Sequence, residues 1–215
     1  MPALASFNGK MHLVFTDTEG RPVHFASENP ESPISRWDAI AFTEGAGWRP
    51  DVAVALAVAS ESTGDVLELI FHEADGQFYA SSYTEGIGWN PRLPLFGALK
   101  YPNASAPRYN IGSRGLIVRS IIFRDSEGKL LISTAAGIPE QPAGQNIRTQ
   151  CAPGVSIVGG NVMYLYWREG EADDIGPAFE CQRLVPSPAP IGDDISCAEL
   201  TAITYGGKIY VIYTR

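Results

Sequence analysis

The sequence predicts an all-β protein, and three observations carry that prediction. A phrase of strand, tight turn, strand and closing aromatic recurs along the chain. A second hairpin, turning on an acidic residue followed by Gly, comes after it. Helical periodicity is nowhere sustained, and the 22 Gly and 16 Pro are spread as turn punctuation rather than gathered into a linker. A lone four-stranded sheet has one poorly covered face. Packing such sheets around an axis buries both faces and leaves only short edges. The expectation is a single small β-propeller of about five blades, the last one short, each a four-stranded antiparallel sheet.

The opening phrase is "PALASFNGKMHLVFTD" (2–17). It returns as "GVSIVGGNVMYLYWRE" (154–169) and again as "ELTAITYGGKIYVIYTR" (199–215). Two looser copies lie between, "VAVALAVASESTGDVLELIFHE" (52–73), read with a longer turn, and "APRYNIGSRGLIVRSIIFRD" (106–125). The closing aromatics are Phe15, Phe71, Phe123, Tyr166 and Tyr213, at intervals of 56, 52, 43 and 47. Propeller blades repeat every ~40–50 residues. The second hairpins turn at Glu19-Gly20, Asp75-Gly76 and Glu127-Gly128, with a looser counterpart in "EGEADDIGPAFECQRL" (169–184). The expected units are 2–50, 51–103, 104–151, 152–197 and 198–215 within one domain, 1–215. The half-phrases at the two ends are expected to meet at a seam. A four-bladed ring with an overlapping seam and a fragment completed by another chain are the alternatives.

Composition narrows the function classes. A formal net charge of −8 and a pI of about 4.9 repel a phosphate backbone, and the 16 Lys and Arg are scattered, so no nucleic-acid partner is expected. No apolar run approaches the roughly 20 residues of a membrane span. The N-terminus shows no basic region followed by an apolar one; a start after a removed leader would favour secretion. Only three histidines (His12, His24, His72) and three cysteines (Cys151, Cys181, Cys197) are present, with no CxxC, so neither a metal site nor a cofactor is expected. The cysteines read as buried thiols or, alternatively, as a Cys181–Cys197 disulfide with one thiol left over. Asn103 opens a lone "NAS" glycosylation triplet.

The segment "LELIFHEADGQFYASSYTEGIGWNP" (67–91) resembles the fungal fucose-specific lectins and their propeller relatives, in which a strand meets a "DG" or "EG" turn, a second strand follows, and "GW" comes after. "IIFRDSEGKLLIS" (121–133) is similar. The resemblance implies a propeller and a sugar site built from an Arg before the turn, a Glu after it and a nearby Trp. In the second unit those two positions fall on Glu68 and near Ala80; in the third, near Ser120 and Ile132; Trp89 matches in kind. Equivalent sites on every blade would preserve the ligand positions. These units keep only the apolar skeleton, which suits one unique site. The resemblance also extends to cofactor-free cyclases such as hetero-Diels–Alderases.

The candidate ligand-binding residues are therefore aromatics and their Arg neighbours. "TEGAGW" (43–48) and "TEGIGW" (84–89) present Trp48 and Trp89, either as aromatic platforms at loop ends or as packing residues between blades. Trp37 and Trp167 complete the tryptophans, and Tyr83, Arg49 and Arg124 lie beside them or at strand ends, where a guanidinium can donate to hydroxyls or a carbonyl. Asp173-Asp174 and Asp193-Asp194 read as solvated loop pairs, no Ser-His-Asp spacing is visible, and catalytic residues stay unassigned. The expected function is lectin-like binding of a glycan or similar small ligand. A cyclase acting on an apolar natural product and a protein-interaction scaffold are the alternatives, and a homo-oligomer is compatible with each.

Overall fold

The computed structural model describes residues 2–30, 36–42, 47–61, 64–114, 116–134, 137–140, 147–149, 152–158, 162–168, 179–183, 189–190, 201–205 and 208–212. Every regular element among them is a β-strand, and every strand pairing is antiparallel. The chain divides into two compact units, Met1–Pro102 and Asn103–Arg215.

The first unit holds two sheets. One runs in sequence order through β1 (Ala3–Phe7), β2 (Lys10–Thr16), β3 (Pro22–Ser27) and β4 (Asp38–Ile40). The other runs through β5 (Ala55–Glu61), β6 (Gly64–His72), β7 (Phe78–Thr84) and β8 (Gly88–Trp89), with β9 (Leu93–Pro94) also paired to β7. Asn8 and Gly9, both at positive φ, make the two-residue turn between β1 and β2. The register of β5 and β6 runs out to Glu61↔Gly64, and residues 62–63, where a longer turn is expected, lie outside the described residues.

Alternation along the strands separates the faces of these sheets. His12 and Val14 on β2, with His24 and Ala26 on β3, are buried, while their neighbours Leu13, Phe15, Val23 and Phe25 are half-buried. Leu67, Leu69 and Phe71 of β6 project to one side and are fully buried. They join Phe7, Val14, Trp48, Val54, Tyr83 and Trp89 in one core, with Phe42 and Tyr79 packed against it.

The acidic-Gly hairpins share one geometry. Gly20, Gly76 and Gly128 have φ of 74°, 83° and 82°. In each, the Gly N–H donates to the carbonyl three residues back, at Asp17, Glu73 and Asp125 (3.1, 2.9 and 3.1 Å), and those residues re-pair with Arg21, Gln77 and Lys129. This is a type I turn closed by a Gly in the left-handed region. Asp17 and Asp125 also accept two backbone N–H bonds each on their own carboxylates. Gly76 lies under a second segment, because Tyr101 N–H donates to its carbonyl at 2.7 Å. A Cβ there would stand 3.3 Å from the Pro102 nitrogen.

The second unit contains β10 (Arg108–Arg114), β11 (Leu116–Arg124) and β12 (Leu130–Thr134) in one sheet. A further bridge joins Ile132 of β12 to Glu140. Then come β13 (Gly154–Val158), β14 (Val162–Arg168), β15 (Phe179–Arg183) and β16 (Ala189–Pro190), and finally the pair β17 (Thr201–Tyr205) and β18 (Lys208–Ile212). Ile122, Leu130, Ile132, Ile147 and Val155 form a core cluster in this unit. Cys151, Cys197, both Asp-Asp pairs and Tyr213 lie outside the described residues.

The glycine geometry makes a paired prediction. Gly20 and Gly76 have similar backbone angles, but only Gly76 meets backbone atoms at close range. In chemical denaturation, Gly20→Ala should cost about 1–2 kcal/mol for the left-handed conformation alone. Gly76→Ala should cost at least ~1 kcal/mol more, from overpacking against residues 100–102. Equal losses would show that the 100–102 segment yields freely.

Candidate functional site

A polar cluster in the first unit forms where the second sheet is irregular. Tyr83 pairs with Trp89 and Ala80 with Leu93, so three steps along β7 face four on the partner. The extra residue is a β-bulge spanning Asn90–Arg92, stitched by Asn90 N–H donating to the Ser82 carbonyl at 2.8 Å and Ser81 Oγ donating to the Asn90 carbonyl at 2.7 Å. Pro91 has no N–H to lose, which suits it to the bulge.

The bulge redirects Arg92. Its Nη1 pairs with Glu73 Oε1, and its Cζ stands 4.4 Å from the Tyr79 ring centroid. Tyr79 also stacks on Phe71, with centroids 5.7 Å apart. The Tyr79 hydroxyl donates to Asp75 Oδ2 at 3.1 Å, and Gln77 N–H donates to Asp75 Oδ1 at 2.9 Å. Glu73 occupies the turn position held by Asp17 and Asp125 elsewhere. One methylene longer, it does not cap its own turn; it accepts the Arg49 backbone N–H at 2.8 Å as well as Arg92. Arg49 Nη1 donates to the Trp48 carbonyl at 2.7 Å.

The electrostatics favour a charged, hydrogen-bonding surface. Burial acts to raise the Asp75 carboxyl, but the Gln77 N–H, the Tyr79 hydroxyl and nearby Lys100 outweigh it and hold it below the usual carboxylate range. Burial, then the bond to Asp75, pushes the Tyr79 hydroxyl up. Both groups thus keep their ordinary forms at neutral pH, an acceptor beside a donor. The Glu73 side chain is 12% exposed and that of Arg92 29%. Among the described residues no group of three or more metal-ligating side chains is found.

The sequence-derived candidates fall in different places. Trp48, Trp89 and Tyr83 are buried at 3%, 3% and 7% exposure. Trp89 stacks on Phe42 at 4.8 Å and Trp48 on Phe71 at 5.2 Å, so these ring faces are taken by protein side chains. Arg49 joins the polar cluster. Trp37 is half-buried just before β4, next to the exposed Arg36–Asp38 ion pair. Arg124 ends β11 in the second unit, with its backbone N–H on Ser105 Oγ and its Nε buried without a hydrogen-bond partner. Trp167 lies on β14, in register with Glu180. Of the positions implied by the resemblance, Glu68 pairs with Ser82, Ala80 with Ile70, Ser120 with Thr134 and Ile132 with Ile122. Sequence reasoning missed Arg92, Glu73, Asp75 and Tyr79. The available signals were a Pro-Arg just after "GW" and a Glu where the sister turns carry Asp.

No family model matches the chain, and no curated protein matches it in sequence. Solved structures do match. AofleA from Arthrobotrys oligospora aligns with a TM-score of 0.69 at 12% identity, over 98% of this chain and 63% of that one. The fucose-specific lectin from Aleuria aurantia, described as a six-bladed β-propeller, aligns at 0.67 with 14% identity, over 100% of this chain and 70% of that one. The fold is that of a β-propeller. A family 43 glycoside hydrolase from Bacillus subtilis, an arabinoxylan arabinofuranohydrolase, aligns at 0.55 with 11% identity over 99% of this chain and 57% of its own. The chain thus spans less than two thirds of AofleA and of the hydrolase, and these identities speak for the propeller fold alone.

The ion pair at the bulge is a stability statement. Arg92→Ala leaves the mostly buried Glu73 carboxylate with one fewer donor and should lower unfolding free energy by about 1–3 kcal/mol. Glu73→Gln/Arg92→Ala should lose less than the sum of the single changes in a double-mutant cycle. Additivity would mean the two side chains do not support each other.

Proposed function

We propose that the chain is a lectin-like β-propeller module that binds a glycan or similar polyhydroxylated small molecule, and that the bulge cluster of Arg92, Glu73, Asp75, Tyr79 and Arg49 takes part. The five sheets are read as successive blades over 2–50, 51–103, 104–151, 152–197 and 198–215, with one unique site rather than one per blade. The observation that carries the reading is the mixed polarity of the cluster. A sugar hydroxyl both donates and accepts, so it needs donors and acceptors side by side. A phosphate would need donors only, and an apolar ligand neither. Here the Arg92 guanidinium, the Arg49 backbone N–H, two carboxylates and a phenol gather in the first unit. The fold likeness to fucose-binding lectins supports the same class of ligand. Trp37, half-buried at a strand entry, keeps part of its surface free for a ligand C–H face.

The test is a broad glycan array followed by fluorescence titration, with methyl α-L-fucoside among the sugars. Weak binding to a neutral glycan is expected, reduced at least tenfold by Arg92→Ala or Glu73→Gln in folded protein. Silence across the whole array from folded protein would dismiss the lectin reading. Binding that ignores both substitutions would move the site away from the bulge.

A further inference from the structure

The core of the first unit contains an unusual buried chain of polar rings. His12 and His24 lie diagonally across β2 and β3, since His12 pairs with Ala26 and His24 with Val14. His12 Nδ1 and His24 Nε2 are 2.8 Å apart, and Trp89 Nε1–H donates to His24 Nδ1 at 3.1 Å. The three side chains are 2%, 1% and 3% exposed, among Phe7, Phe42 and Tyr83. The Trp89–His24 bond joins the second sheet to the first.

Donor counting sets every proton in this chain. An indole N–H can only donate, so His24 Nδ1 must be the acceptor. The His24 proton is then on Nε2 and donates to His12 Nδ1. The His12 proton is then on Nε2, buried in the core. A further proton on His24 has only Nδ1 to occupy, and there it faces the Trp89 N–H. The imidazolium would keep a strengthened, charge-assisted bond to His12 and give up the bond to Trp89. A proton on His12 Nδ1 instead would face the His24 N–H, and a tautomer shift of His24 to relieve that contact again puts a proton opposite Trp89.

We infer that the His12–His24–Trp89 chain is an acid-sensitive latch, in which uptake of one proton by the imidazole pair releases Trp89 and loosens the first sheet from the second. The groups facing the pair are few. Lys10 on β2 opposes a charge on His12, Glu85 after β7 favours one, and the Phe7 backbone on β1 favours the protonated form of His12. Tyr83 on β7 contacts both rings. Burial comes first for each ring: it holds His12 below the usual histidine range and His24, with His12 beside it, down to about 3. A histidine whose folded value is depressed stabilises the fold above its unfolded value of about 6.5. That contribution drains away as pH falls from there towards the folded value, because the unfolded chain binds more protons. Stability therefore begins to fall below pH 6.5, and in the folded chain the latch opens as the pH approaches about 3.

The experiment follows the Trp89 indole N–H and the imidazole nitrogens of the intact chain by NMR from pH 7.5 to 3, with Trp89→Phe identifying the indole resonance. On acidification the Trp89 N–H should shift upfield in step with protonation of the pair, while β6 and β7 amides stay in place. In Trp89→Phe, His24 Nδ1 no longer faces a donor, so the pair should titrate at a higher pH than in the native chain. Should Trp89→Phe fail to fold, His24→Gln in its place must leave the Trp89 resonance without its acid shift. A Trp89 N–H that stays put while the pair titrates, an unchanged titration in Trp89→Phe, or collapse of all resonances in one step would each overturn the latch.

Discussion

The first unit depends on the packing of aromatic rings between two sheets. Phe42 stacks on Trp89 and meets Trp48 edge to face, and Trp48 in turn stacks on Phe71. Rings of this size each bury roughly 150–250 Å² and interlock only in a few relative orientations. The consequences reach the polar surface. Holding Trp48 in the core leaves the next backbone N–H, that of Arg49, at the Glu73 carboxylate. Holding Trp89 in β8 sets where the outer strand must bulge, and the bulge delivers Arg92 to Tyr79. The hydrogen-bonding groups at the rim are placed by apolar contacts beneath them.

How much of this was legible depends on the length scale of the signal. Period-2 alternation and turn chemistry are local, so β1 to β3, β6, β7, β11 and β12 and the three acidic-Gly turns could be read directly from residues such as Asn8-Gly9 and Glu127-Gly128. The outer strands were harder. They are two or three residues long, and a Pro interrupts one of them. The site was the least legible part. Trp48 and Trp89 look alike as candidate platforms and as core residues, because composition does not say which face of a ring meets solvent. Arg92 reaches its partners only through a one-residue offset in register, and a register offset is a property of two strands together.

Fold and activity separate here in a physically intelligible way. Solved structures that align with this fold include lectins and a glycoside hydrolase, so the fold alone does not fix an activity. In this chain the turns and outer strands differ from one unit to the next. Glu73 departs from the aspartates of its sister turns, and among the described strand pairings the one-residue register offset before Arg92 belongs to the second sheet. Such departures from the repeat are where a single specialised surface can arise on a nearly periodic body.

The prolines of the outer strands have a colloidal consequence. Pro94 ends β9 and Pro190 ends β16, each on a strand at the margin of its sheet. A proline nitrogen offers nothing to an incoming chain, and the Asn90–Arg92 bulge twists that margin away from a flat template. Foreign strands attempting to extend these sheets would meet a broken ladder, which helps a β-rich chain remain dispersed in crowded solution.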